Sequence, residues 1–327
     1  MHTDRRHLLA GAAALGLLRT RCSFAQAAYP NRPIRIVVPY PAGGGTDYFA
    51  RLVGAAMGEA LGQSVVVENR AGAATIIGAD AVAHAAPDGY TILLGDTATF
   101  AANKSLYQKL PYDPQRDFSP VTLTGRFAIV LLVNTGKLKV GSLQELIEAA
   151  RRAPGTIDYA SPGVGSPFHL ATELLASAAG IKLNHVPYRG VAPALQDLAA
   201  GQVGMMFVDF ASARSQLATP GIKALAVASP TPLPGLPGVP TVGSSGFPGF
   251  EAWAWQGFVV PAGTPTEIIG KINASYLASV KRKDIVAKLE GAGIEVLQST
   301  PAEFATYMQN ETEKWGQLVK AANIRAD

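Results

Sequence analysis

Two glycine-rich turns are the segments best placed to do chemistry. The first is Pro39-Tyr40-Pro41-Ala42-Gly43-Gly44-Gly45-Thr46-Asp47, and the second is Ser161-Pro162-Gly163-Val164-Gly165-Ser166-Pro167-Phe168-His169. Each joins a strand-like apolar run to a helix start. Glycine lets the backbone approach a ligand closely, and the free N–H groups of a helix start favour an anion. Two such turns in equivalent places of two α/β series suggest an anion gripped from both sides. The competing reading is a pair of ordinary tight turns, and the residues alone leave both open. Gly163-Val164-Gly165 invites a dinucleotide reading that fails twice: Phe168 stands at the third glycine, and no acid ends the following strand, Leu183 to Val186.

Single side chains are less telling. His169, in the first turn of its helix, is either a donor to a ligand or loop or a satisfied structural histidine. Asp47 either caps its helix, the safer reading, or meets a ligand amine or hydroxyl. Asp209 follows a strand-like run and either faces a cleft or serves a turn. Trp253 and Trp255 alternate on a strand, so one can line a cleft while the other packs. His84 and His185 are far apart with no metal-ligand spacing, and no carboxylate pair or nucleophile–base pair is visible. No catalytic residue, metal or cofactor is therefore expected, and the chain is read as a non-enzyme.

These turns need elements to hold them. Ile34 to Pro39 reads as a buried strand, Thr46 as the N-cap of a helix ending at Gly62, and Val65 to Glu68 as a strand. A helix near Thr75 to Ala85 and a strand from Tyr90 to Leu94 follow. That βαβαβ order implies a parallel sheet covered by helices. A second series starts near Ala128: strand to Val133, a capping box Ser142-Leu143-Gln144-Glu145, strand Ile157 to Ala160, helix Ser166 to Ala179 and strand Asn184 to Val186. Helix Pro193 to Ala200 and strands Val203 to Val208 and Lys223 to Ala228 complete it, enough for a separate sheet. Trp255 to Val260 is strand-like. The tail is helical, with starts at Thr264-Pro265 and Thr300-Pro301, each with proline at the first helical position, and is expected to complete the first lobe. The expected division is residues 28–124 plus 251–327 for lobe 1 and 125–250 for lobe 2, with crossings near Leu123 to Arg126 and Phe250 to Trp255.

The 327 residues are 48% hydrophobic and 16% charged, which suits a folded chain with room for two cores. Most of the formal net charge of +4 sits in the first 27 residues, and Lys281-Arg282-Lys283 is the longest basic run thereafter. Nucleic-acid binding lacks its electrostatic footprint. Residues 1–27 resemble an export leader: Arg5-Arg6 precede the apolar run Leu8 to Leu18, too short to span a bilayer, and Ala25-Gln26-Ala27 offers a cleavage site. The paired arginines hint at twin-arginine export. Cys22, the single cysteine, would be removed with the leader.

Several longer segments carry a family resemblance: YPNRPIRIVVPYPAGGGTD from Tyr29, VVVENRAGAA from Val65, AAPDGYTILLG from Ala85, LYQKLPYDPQRDFSPVTL from Leu106, HVPYRGVAPALQDLAAGQV from His185 and VVPAGTP from Val259. The chain resembles the substrate-binding component of tripartite tricarboxylate transporters, also called Bug proteins, over essentially all of Tyr29 to Asn323. The resemblance implies an α/β, two-lobed type II periplasmic-binding-protein fold, each lobe a mostly parallel sheet flanked by helices. It implies a periplasmic, monomeric protein that holds a small carboxylate on the amides of both turns and hands it to membrane permease subunits. The implied ligand-binding set is Tyr40, Ala42, Gly43, Gly44, Asp47, Thr97, Thr99, Ser161, Gly165, Ser166, His169 and Asp209. Ala42, Asp96, Phe168 and Val208-Asp209-Phe210 depart from the family's usual residues beside the cleft, which puts ligand identity in doubt and not the fold. A ligand-sensing component with a membrane receptor as partner, and an exported enzyme acting on carboxylic acids, are the rival readings.

Overall fold

The computed structural model describes residues 29–326; the expected export leader, with its arginine pair and Cys22, lies outside the described residues. The first series is β1 (Ile34–Val38), α1 (Gly45–Leu61), β2 (Val65–Asn69), α2 (Ile76–Ala83) and β3 (Thr91–Asp96). β1 lies between β2 and β3, parallel to both. Helices cover this sheet, so β3 is buried along its whole length. α1 turns Phe49, Ala50, Val53, Ala56 and Met57 inward at helical spacing. It begins at Gly45 and not after Thr46, because extended Gly44 already presents its carbonyl to the Tyr48 N–H at 2.9 Å.

A π-helical turn (Ala98–Ala102) and α3 (Asn103–Leu106) lead to β4 (Phe118–Asn134). The second series follows: α4 (Thr135–Leu138), α5 (Leu143–Arg152), β5 (Asp158–Ser161), α6 (Pro167–Ala179), β6 (Asn184–Pro187), α7 (Val191–Ala199), β7 (Met205–Asp209), α8 (Phe210–Ala213) and β8 (Ile222–Val227). The chain returns through β9 (Trp253–Pro261) and ends in α9 (Thr266–Ser279), α10 (Lys283–Gly291), β10 (Ile294–Val296) and α11 (Pro301–Ala321). Ser142 caps α5 by accepting from the Glu145 N–H at 3.2 Å, but Glu145 reaches back to the Gly141 N–H, so the box closes on one side only.

β4 differs most from the sequence reading. It is one 17-residue strand where a connection at Leu123 to Arg126 followed by a short strand was expected. The polar residues along this strand are satisfied inside the protein: Thr122 Oγ donates to the Ser299 carbonyl and Thr124 Oγ to the Gln256 carbonyl, both at 3.0 Å. Phe118 to Ala128 pairs with β9, and Gly125 to Phe127 also with β10. From Ile129 onward the partners are β7 and β8. The two series therefore share a strand and join into one ten-stranded sheet instead of two separate ones. Parallel pairing holds within the trios β2-β1-β3 and β6-β5-β7. The ladders at the junction are antiparallel: β4 carries the chain out and β9 brings it back, so neighbours travel in opposite directions.

The tail packs on the first half, α9 against α1 and α11 against the π-helical turn. Thr300 and Glu303 complete a reciprocal capping box with Pro301 at the first helical position. Pro265 sits one place earlier than expected, at the N-cap of α9. α11 inserts Phe304, fully buried, edge-on to Phe100 and to Trp255 with ring centroids 6.1 Å away. The Trp255 and Trp315 indoles both donate to Glu311 Oε2, at 2.6 and 2.7 Å. Phe304→Ala should cost about 3–5 kcal/mol, the usual range for emptying a buried aromatic site. Urea unfolding measures this, and a loss below about 1 kcal/mol would show that α11 contributes little to the first core.

Candidate ligand-binding site

A cleft of about 390 Å³ opens where the halves meet. One wall is the first glycine-rich turn, Tyr40 to Asp47, with Asp96. The other includes Pro162, Pro167 and Phe168, the segment Arg189 to Pro193, and Asp209 with Ser212. Phe127, Ala254 and Trp255 form the back. Most of the lining is apolar, as in small-molecule sites that reserve a few polar groups for orientation.

The start of α1 supplies polar groups. The N–H groups of Gly44, Gly45 and Thr46 take no acceptor among the described residues, as the geometry of a helix start requires. Gly45 could not be any other residue without rearrangement: a Cβ there would lie 2.9 Å from Phe127 Cε1 and 3.2 Å from Asp209 Oδ1. Asp47 is buried at the mouth of the turn. Burial alone would raise its pKa, but donors from Arg51, the Gly43 N–H and Asn69 outweigh it and hold the carboxylate below its usual range. Asp47 thus pins the turn, and its charge is already balanced. Tyr40 Oη donates to Asp96 Oδ2 at 2.6 Å. Asp96 Oδ1 accepts from the Thr99 N–H and hydroxyl at 3.1 and 2.9 Å. Burial lifts Asp96 above the usual carboxylate range, against these donors.

The second glycine-rich turn behaves differently from expectation. Three of its amides are engaged internally: Gly163 N–H donates to Ser161 Oγ, Gly165 N–H to His169 Nδ1, and Ser166 N–H to the Gly163 carbonyl, while the Val164 and Phe168 N–H groups take no acceptor among the described residues. Ser166 Oγ caps α6 by accepting from the His169 N–H. Gly165 faces α3, where an added Cβ would meet Leu106 Cδ1 at 2.3 Å. Ser161, Gly165, Ser166 and His169 accordingly stand off the cleft, and the turn offers it only Pro162, Pro167 and Phe168. Thr97 and Thr99 are also off the cleft, both fully buried; Thr99 Oγ bonds Thr75 Oγ and Asp96, while Thr97 Oγ has no partner among the described residues. Tyr40, Ala42, Gly43, Gly44, Asp47 and Asp209 do line it.

Free amides on the far wall come from a segment passed over in the sequence. Gly190, at φ +116, turns the chain into α7, and the N–H groups of Gly190, Val191 and Ala192 take no acceptor among the described residues. A lone glycine before Val191 was the available signal. Arg189 lies beside it on the cleft wall with no ion-pair partner among the described residues. The walls touch at this level, for a Cβ on Gly190 would be 3.6 Å from Pro41 Cγ. Of the two tryptophans, Trp255 backs the cleft, and Trp253 stacks under the Arg126 guanidinium at 3.9 Å.

One contact resembles catalytic machinery: Ser161 Oγ lies 2.6 Å from His185 Nε2. Ser161 is fully buried and off the cleft, and no carboxylate orients His185. His185 instead stacks on His169 at 4.1 Å and on Tyr159 at 4.8 Å. No group of three metal-ligating side chains occurs among the described residues.

That histidine stack gives a pH dependence. Burial holds His169 down to about 3 and His185 down to about 4, so both are neutral in the folded protein. The unfolded chain takes up these protons near the usual pKa of about 6.5. Their stabilisation is whole above that pH and is lost as pH falls toward 4 and then 3. The slope is at most about 1.4 kcal/mol per pH unit per histidine, and smaller for the half-buried His185. Asp96 and Asp209, raised by burial, act in the opposite direction below neutrality. A comparison with His169→Asn isolates the histidine contribution, since an amide oxygen can still accept from the Gly165 N–H. The stability advantage of wild type over the variant should shrink between pH 7 and pH 5, and a constant difference in urea titrations would contradict the assignment.

The chain is similar to several solved proteins. It is 36% identical to the periplasmic binding protein BugD, with TM-score 0.83, over 91% of this chain and 99% of that one. It is 35% identical to Rpa4515 of R. palustris, solved with adipate, with TM-score 0.86 over 91% and 99%. It is 34% identical to MatC of Rhodopseudomonas palustris, solved with malate, with TM-score 0.82 over 89% and 100%. These likenesses fix the architecture as the two-lobed periplasmic-binding-protein fold. The sequence profile described as tripartite tricarboxylate transporter family receptor matches residues 49–324, and the chain belongs to that family.

Proposed function

We propose that this protein captures a small carboxylate in the cleft between its lobes and delivers it to the membrane subunits of a tripartite tricarboxylate-type transporter. The observation that carries the reading is the pair of helix starts, α1 and α7, whose unengaged N–H groups border one largely apolar cleft from opposite sides. Amides fixed in place need no reorganisation to meet an anion, and charge-assisted hydrogen bonds contribute about 1.5–3 kcal/mol each. Only a closed arrangement offers both sets to one ligand, so ligand shifts the population toward closure. The adipate and malate in the two similar structures support a carboxylate as the guest.

Within this proposal, residues 28–124 and 251–327 form one lobe and 125–250 the other. Residues 1–27 direct export and are removed, and the mature protein acts as a periplasmic monomer. The permease reads the closed shape. A sensor role with a membrane receptor would use the same cleft. An enzymatic role has no support in the cleft itself: Asp47 and Asp96 are pinned by neighbouring donors, no base stands beside a nucleophile there, and the Ser161–His185 contact lies elsewhere.

The test is a thermal-shift screen against mono-, di- and tricarboxylates, in which a binder raises the melting temperature increasingly with concentration. Gly44→Pro removes one cleft-facing N–H where the backbone tolerates it, since φ is −85° and nothing lies within 4 Å of the added Cβ. The variant should fold as wild type yet bind the best acid at least about tenfold more weakly. Unchanged binding would remove the α1 start from the site.

A further inference from the structure

Asp209 stands out among the acids of the cleft wall. Asp47 is paired with Arg51 at 2.9 Å, and both oxygens of Asp96 are engaged by Tyr40 and Thr99. Asp209 is 4% exposed and has no cationic partner among the described residues. Its carboxylate Oδ1 accepts from the Ser212 N–H at 2.7 Å, in the first turn of α8. A carboxylate offers about four acceptor sites, so capacity is left over, and it faces the cleft. The position matters more than the count. Oδ1 lies 3.2 Å from the point a Gly45 Cβ would occupy, which puts this carboxyl beside the very amides that would hold the guest's anion.

Two carboxylates brought together in a buried, mostly apolar space repel each other strongly. The conflict is resolved if the guest carries a hydrogen-bond donor between them. We infer that the ligand has an ammonium or hydroxyl group next to its carboxylate, and that Asp209 accepts from that group and so determines specificity. This rests on the carboxylate reading of the cleft and narrows it: an amino or hydroxy acid fits, and a plain diacid of the adipate kind is disfavoured.

Matched acids test the inference by isothermal titration: L-malate and L-aspartate against succinate, and 3-phenyllactate and phenylalanine against 3-phenylpropionate. The full mature chain is used, as wild type and as Asp209→Asn, which keeps the cap of α8 because asparagine caps as well as aspartate. Wild type should bind a donor-bearing member at least about tenfold more tightly than its plain counterpart. In the variant the plain acid should gain and the preference should narrow, because the repelling charge is gone. The malate and aspartate arms separate hydroxyl from ammonium. Equal binding within every pair, or an equal shift of both members in the variant, overturns the role of Asp209 while leaving carboxylate capture intact. Failure of every acid to bind wild type overturns both.

Discussion

Strand β4 hydrogen-bonds to β9 and β10 along its first part and to β7 and β8 along its second, and this continuous ladder determines where everything else can be. It sets the carboxyl ends of two parallel trios against one another. α1 leaves from one trio and α7 and α8 border the other, so their starts meet at the same gap. Phe127, two residues before the strand changes partners, forms the floor between them. A flexible linker would fix none of these separations, whereas a shared ladder ties both lobes to one register.

The chemistry of the gap follows from an imbalance. Backbone N–H groups supply partial positive charge on both sides, while Asp47, Asp96 and Asp209 crowd the same walls with acid. The first two are absorbed by tightly held neighbours, which also stiffen the turn and the π-helical segment. The cost of burying these groups is met by satisfied hydrogen bonds, and the residual electrostatics are concentrated at one carboxyl. On the proposed reading, a guest is chosen by the pairing of an acceptor and a donor in a mainly hydrophobic setting.

Much of this was legible in the residues. The alternation of apolar runs and helical faces gave both series, and Gly43-Gly44-Gly45 gave the first wall. What failed did so for identifiable reasons. A glycine-rich turn advertises backbone freedom but not who takes its amides, and in Ser161 to His169 the histidine and two serines of the same segment take those of Gly163, Gly165 and His169. The crossing expected near Leu123 to Arg126 is part of one continuous strand, whose threonines Thr122 and Thr124 are satisfied by the distant carbonyls of Ser299 and Gln256. The α7 start was missed because a single glycine before Val191 carries little local signal, and only the packing of Gly190 against Pro41 reveals its place.

The placement of Trp255 has a practical corollary. The chain contains three tryptophans. Trp315 is sealed in the core and Trp253 lies under a guanidinium, so Trp255 alone borders the cleft. Its indole is anchored by Glu311 and its ring packs on Phe100, Phe304 and Tyr307, directly behind the gap. Intrinsic emission is thus a native optical reporter of the packing behind the gap, with no label attached to either lobe.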